Sequence, residues 1–230
     1  MRIGGLQRLT LLDYPGKVAC TVFLSGCNLR CPYCHNPGLV LPSGEDGPEL
    51  AEEELFDFLK RRRGLLDGVC VTGGEPTLNP ELPQLLKELR GMGYAVKLDT
   101  NGTNPGMLRE ILRDGLADYV AMDIKNSPAR YRETCGGVDV LRQAEESARI
   151  LMEGEADYEF RTTVCKPLHT PQEMEEIGRW LCGAKRYFLQ RFVDSGRLLG
   201  GGVQPPAPEE MELLRQAVLP NIPNARIRGS

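Results

Sequence analysis

Strand-like and helix-like stretches alternate along almost the whole chain, and this alternation constrains the fold more than any composition figure. Short runs rich in β-branched and apolar residues occur at residues 18–24, 68–72, 95–99, 119–124, 158–164 and 186–192. Between them lie stretches with apolar residues three and four apart, at 51–63, 81–90, 107–114, 141–152 and 171–181, and a last one follows at 209–219. Strand, helix and strand in succession form the βαβ unit, whose strands pair in parallel. The chain therefore reads as α/β, either an open doubly wound sheet or a barrel, complete or partial. Its 230 residues contain no internal repeat and no linker, so one domain is expected over 1–230. Residues 194–230 form its C-terminal loop and helix extension, opening with the Gly- and Pro-rich DSGRLLGGGVQPPAP.

Charge and hydropathy narrow the function classes. Lys and Arg number 28 against 32 Asp and Glu, a net charge of -4, and the one basic block is Lys60-Arg61-Arg62-Arg63 at an expected helix end. Cations there oppose the helix dipole, so nucleic acid is not an expected partner. No apolar run approaches the roughly 20 residues of a membrane span. The start, Met1-Arg2-Ile3-Gly4-Gly5, lacks a signal-peptide apolar core, so the expected location is cytoplasmic, away from membranes.

Eight cysteines in such a compartment do not make a disulfide framework. Cys20, Cys70 and Cys165 lie in β-branched runs and read as small hydrophobes; Cys135 and Cys182 stand alone in sequence. Cys27, Cys31 and Cys34 are different, spaced C-x3-C-x2-C in SGCNLRCPYCHNP. Three thiolates point to a metal. Zinc needs a fourth ligand, for which His35 is the nearest candidate, although adjacent residues seldom both ligate one small ion. An iron–sulfur cubane takes one thiolate per iron, so three would leave one iron open to a small molecule.

Position sorts the remaining motifs. The cysteines follow the first expected strand, GGEP (Gly73 to Pro76) the second, DTNG (Asp99 to Gly102) the third, and MDIK (Met122 to Lys125) closes the fourth. Polar groups at the C-terminal ends of successive parallel strands are placed where α/β folds do chemistry. Strand alternation puts Lys97 with Asp99 on one face and Asp123 with Lys125 on another. Each pair is either a structural ion pair or a binding surface for a zwitterion.

CNLRCPYC followed by GGEP resembles the radical S-adenosylmethionine superfamily. Within it, LLDYPGKVACTVFLSGCNLRCPYCHNP with DTNG and MDIK is similar to the activating enzymes of glycyl radical proteins, most of all those of anaerobic ribonucleotide reductase. The resemblance runs from about Leu9 to Phe192 and implies a partial (β/α)6 barrel. It implies one [4Fe-4S] cluster on Cys27, Cys31 and Cys34, with S-adenosylmethionine chelated at the open iron. Reductive cleavage then yields a 5′-deoxyadenosyl radical that takes hydrogen from a glycine of a partner glycyl radical enzyme. An electron donor such as flavodoxin or ferredoxin is implied as well. By the same resemblance Tyr33 lies near the adenine, Gly73, Gly74, Glu75 and Pro76 meet the ligand's ammonium, and Lys125 and Arg161 meet its carboxylate. Asp123 reaches the ribose, Asp99, Thr100 and Asn101 complete the cofactor site, and Gln190 stands where relatives place a histidine. Asp99, Thr100 and Asp123 match positions that hold a monovalent cation in some relatives. Asp13 in DYPG matches an acidic contact to the partner's glycine loop, and it also suits an ordinary turn. Cys70 alone falls between the motif and GGEP, so no second cluster is expected.

Overall fold

The computed structural model describes residues 1–40, 50–194 and 196–229. Its strands are β1 (Ile3–Thr10), β2 (Ala19–Leu24), β3 (Gly68–Gly73), β4 (Ala95–Thr100), β5 (Tyr119–Asp123), β6 (Asp157–Val164), β7 (Tyr187–Arg191) and β8 (Arg226–Arg228). The helices are α1 (Pro37–Val40), α2 (Glu52–Arg62), α3 (Leu82–Gly91), α4 (Pro105–Arg113), α5 (Tyr131–Thr134), α6 (Leu141–Glu153), α7 (Pro171–Trp180) and α8 (Pro208–Val218). The strands follow one another in the order β1 to β8. A sequential order of this kind is that of barrel-type folds; a doubly wound sheet reverses direction partway across. The α/β class and the barrel-type topology are thus as expected.

The six expected strands and the longer helices are all present, with ends shifted by one or two residues. Two strands were not foreseen. β1 carries two glycines and buries only Ile3 at one end and Thr10 at the other, so it lacks the alternating pattern that marks a strand. It runs antiparallel to β2, with irregular register after Ile3 and after Gln7. β8 has only three residues, too few for any period to show.

Two compact units make up the described chain. The first comprises residues 1–28, 38–100 and 106–120, and the second 29–37, 101–105 and 121–230, less the residues outside the description. In the first, β2 pairs in parallel with β3, and β3 with β4. Their apolar side chains Val22, Leu24, Val69, Val71, Val96 and Leu98 are fully buried. α3 covers its part of the core with Leu82, Leu85, Leu86 and Leu89, the i, i+3, i+4, i+7 stripe that the sequence displays.

In the second unit β6, β7 and β8 pair in parallel. α7 starts with a capping box, Thr170 with Glu173, and Pro171 at its first position. The 194–208 segment, expected as a loop, is irregular where described. It is tied to the cysteine loop by Leu199 N–H donating to Cys34 O (3.3 Å) and Gly200 N–H to Pro32 O (3.1 Å), and to Lys166 by Gln204 N–H (2.9 Å).

Candidate functional site

The first unit holds Cys27, the GGEP residues, and Asp99 and Thr100 of DTNG; Asn101 and Gly102 fall in the second. Gly73 ends β3 with φ +129°, and a Cβ on it would stand 2.2 Å from Leu24 O. A Cβ on Gly74 would stand 2.0 Å from Gly26 O. Only glycine fits a backbone this close: Gly74 N–H donates to Leu24 O at 2.8 Å and Glu75 N–H to Gly26 O at 2.7 Å. Glu75 is 1% exposed, and its Oε1 accepts from Thr77 N–H (3.0 Å), Thr77 Oγ1 (2.5 Å) and Thr100 Oγ1 (2.7 Å). Pro76 opens the short 3₁₀ turn that Glu75 caps. The Glu75 carboxylate therefore has a structural engagement that its assignment to a ligand ammonium did not include.

Asp99 and Lys97 form the ion pair allowed for by their shared strand face. Lys97 is 1% exposed. Cys70 lies beside them, its Sγ 3.7 Å from Lys97 Nζ and 3.7 Å from Asp99 Oδ1. The reading of Cys70 as a plain hydrophobe is corrected here: it is buried, but against charges. Asp13 accepts from Thr21 Oγ1 at 2.6 Å, and its N–H donates to Thr10 Oγ1 at 3.2 Å, which fixes the turn between β1 and β2.

The second unit holds Cys31, Cys34, Tyr33, Asn101, Asp123, Lys125, Arg161 and Gln190. Asp123 is the hub, with Lys125 Nζ donating to its Oδ2 (3.1 Å) and Arg161 Nε to its Oδ1 (2.9 Å). Burial would raise the Asp123 pKa; the Arg161 and Lys125 charges outweigh it and hold the carboxyl at about 2. Burial would likewise lower the Lys125 pKa, and the Asp123 carboxylate keeps it well above the ordinary lysine value. Asn101 is buried, and its Oδ1 accepts from Thr103 N–H (2.9 Å) and Oγ1 (2.7 Å). Gln190, on β7, is half-buried beside Thr163 in register.

Tyr33 is buried, and its hydroxyl has no hydrogen-bond partner. An orphaned hydroxyl of this sort marks a place where a polar group is needed. Cys31 is buried, with Cys34 half-buried, and Cys34 N–H donates to Cys31 O at 3.1 Å. A hydrogen bond from Cys135 pulls the Cys31 thiol down to about 7 against burial, with Lys125 contributing, whereas burial pushes Cys34 up. Arg30 N–H donates to Cys135 O at 3.2 Å, which seats Cys135 against this loop. Nothing near Cys135 in sequence signalled that contact. His35, the candidate zinc ligand, stacks its ring on Phe192 at 5.2 Å.

No cysteine among the described residues is in a disulfide, and no three His, Cys, Asp or Glu side chains there stand gathered for a metal. The donor chemistry still fits an iron–sulfur cluster better than zinc: three thiols lie on one irregular loop, and the His35 ring is stacked on Phe192. The orphaned, buried Tyr33 hydroxyl fits a bound polar group.

Residues 21–181 match the radical SAM superfamily. The chain belongs to that superfamily. It is 31% identical over 219 residues to a Methanocaldococcus jannaschii protein provisionally named a glycyl-radical enzyme activating enzyme, covering 92% of this chain and 88% of that one. Over 130 residues it is 40% identical to the pyruvate formate-lyase-activating enzyme of Clostridium pasteurianum, 54% of this chain and 52% of the relative. Over 179 residues it is 32% identical to the 7-carboxy-7-deazaguanine synthase of Methanopyrus kandleri, 68% and 70% respectively. Streptococcus suis SuiB, solved with its precursor peptide SuiA, shares the fold with a TM-score of 0.71 at 16% identity, over 91% of this chain and 48% of SuiB.

Proposed function

We propose that this chain is a glycyl-radical-enzyme activating enzyme and that its partner is an anaerobic ribonucleotide reductase. The observation that carries the reading is the match to the Methanocaldococcus jannaschii relative over nearly the full length of both proteins. The partner rests on the motif resemblance, LLDYPGKVACTVFLSGCNLRCPYCHNP with DTNG and MDIK, within the stretch from about Leu9 to Phe192. Cys27, Cys31 and Cys34 would hold one [4Fe-4S] cluster, which together with S-adenosylmethionine supplies the 5′-deoxyadenosyl radical for hydrogen abstraction from glycine.

The chain's own residues then bind and orient. Lys125 and Arg161 carry two positive charges against the one negative charge of Asp123, leaving a net cation to meet a carboxylate. Asp123, held ionised, can accept from ribose hydroxyls without giving up either cation. The Tyr33 hydroxyl gains a partner when a polar ligand arrives. Gly73 and Gly74 let the end of β3 lie directly against the Leu24–Gly26 backbone, which seats the turn that carries Glu75. The cysteine loop gathers its thiols as the cluster assembles, since metal sites seldom stand preformed. Flavodoxin or ferredoxin is the class of electron donor.

The test is anaerobic reconstitution, reduction, and addition of S-adenosylmethionine with a purified anaerobic ribonucleotide reductase, read by electron paramagnetic resonance and by 5′-deoxyadenosine release. A glycyl radical doublet on the partner, absent with Cys31→Ala, is the expected result. Cleavage without any radical on this reductase, but with one on pyruvate formate-lyase, would reassign the partner. A product formed from a small molecule alone would favour the second reading, a synthase of the kind found in Methanopyrus kandleri.

A further inference from the structure

The monovalent cation that the resemblance implies for some relatives at the positions of Asp99, Thr100 and Asp123 would need oxygens there available to the ion. Here each is already engaged by a group of the protein. Asp99 Oδ1 is taken by the Lys97 ammonium. Thr100 Oγ1 is turned to Glu75 Oε1 at 2.7 Å. Asp123 has Arg161 on one oxygen and Lys125 on the other. Each carboxylate, taken within its own unit, thus already faces a cation of the protein, which leaves it little negative charge for an added alkali ion.

Lys97 is the informative residue. It is 1% exposed, deeper than any other lysine in the described chain, and an ammonium is buried at this depth only when paired. Its companions are Asp99 and the Cys70 sulfur at 3.7 Å. An alkali ion is held by the full negative charge of its carboxylates; beside a fixed ammonium that charge is neutralised, and a second cation meets repulsion at close range in a poorly screened interior. The i, i+2 spacing on β4 makes the arrangement a product of the strand itself, since alternate side chains share a face.

We propose that the Lys97 ammonium replaces the alkali cation in this protein. It orients Asp99 as a positioning residue, and S-adenosylmethionine binding and cleavage need neither potassium nor sodium. The proposal rests on the cofactor reading above for its activity arm, and on the Lys97–Asp99 geometry alone for its stability arm.

Reconstituted enzyme is assayed for S-adenosylmethionine affinity, 5′-deoxyadenosine release and thermal midpoint in KCl, NaCl and choline chloride at equal ionic strength. The wild-type protein is expected to give the same values in all three salts. Lys97→Met leaves Asp99 as a half-buried carboxylate without its ammonium and is expected to lose about tenfold or more in affinity in choline, with recovery in KCl or NaCl. Its thermal midpoint should rise in the alkali salts while that of the wild type does not move. Wild-type affinity or cleavage that collapses in choline would overturn the proposal and leave the activating function standing. Loss of cleavage in every salt would instead sink the functional reading, and the midpoints would still decide the cation question. A Lys97→Met protein indifferent to cation and as tight as wild type would remove Lys97 from the positioning role. If that variant fails to fold, the wild-type salt comparison decides between replacement and requirement by itself.

Discussion

His169 Nε2–H donates to Lys125 O at 2.9 Å, an oxygen that can only accept, while Nδ1 lies 3.2 Å from both the N–H and the O of Cys165. Protonation would put a second proton on Nδ1, where Cys165 O lies at 3.2 Å to accept it, so it is burial of the charge that opposes the imidazolium. Burial lowers the His169 pKa below its ordinary value near 6.5, more than its backbone hydrogen bonds raise it. The unfolded chain therefore takes up this proton first as pH falls, so the His169 contribution is complete above about 6.5 and is lost as pH drops toward the folded-state value. Urea unfolding from pH 8 to pH 5 should show a stability decline that His169→Gln flattens; an unchanged slope would contradict it. Lys125→Met should weaken S-adenosylmethionine binding about tenfold or more by equilibrium dialysis, because a charge-assisted contact is removed. At this scale, much was legible. Asp123 with Lys125 and Lys97 with Asp99 followed from strand alternation, which is local. Arg161 on Asp123 and Cys135 on Cys31 join residues 38 and 104 apart, and no local period encodes such meetings.

β8 shows how a three-residue strand is fastened. Arg228 donates to both oxygens of the fully buried Glu159, at 2.8 and 2.9 Å, and its guanidinium lies 3.7 Å from the centre of the Phe188 ring. The strand is held through one side chain reaching β6 and β7, where three residues of ladder would be marginal. Arg228→Met should destabilise by about 2–3 kcal/mol in denaturant unfolding, since the buried carboxylate loses a bidentate partner. Adding Glu159→Leu should restore most of that loss, whereas additive damage would show that packing rather than charge is at issue. Apart from β1, elements of five or more residues announced themselves by period. β1 and β8 did not, because glycine content hides the first and brevity the second.

For the molecule as a whole, a ligand that binds only the folded state raises stability in proportion to the logarithm of its concentration. S-adenosylmethionine at a hundred times its dissociation constant should add about 2.7 kcal/mol to the reconstituted protein. That is a rise of several degrees in thermal midpoint for a chain of this length, and Lys125→Met should reduce it at the same concentration; no shift for the wild type would refute cofactor binding. Among the described residues no helix is long and apolar enough to cross a membrane. The parallel strand direction and the placement of polar motifs at strand ends were readable from the sequence because both follow from βαβ chain direction; the strand order was not, since βαβ units suit a doubly wound sheet as well as a barrel. The tie between the 194–208 segment and the cysteine loop was not, since backbone hydrogen bonds between two irregular segments leave no compositional trace.

The glycines of GGEP carry a consequence for how such proteins age. Any side chain at Gly73 or Gly74 would collide with the carbonyl of Leu24 or Gly26. A map of variant effects scored by cellular abundance should therefore mark both glycines as intolerant and leave Cys27 and Lys125 nearly neutral, whereas a map scored by radical generation should mark all four. A duplicated copy released from its catalytic duty would let the cysteines drift first and keep the paired glycines for as long as it still folded.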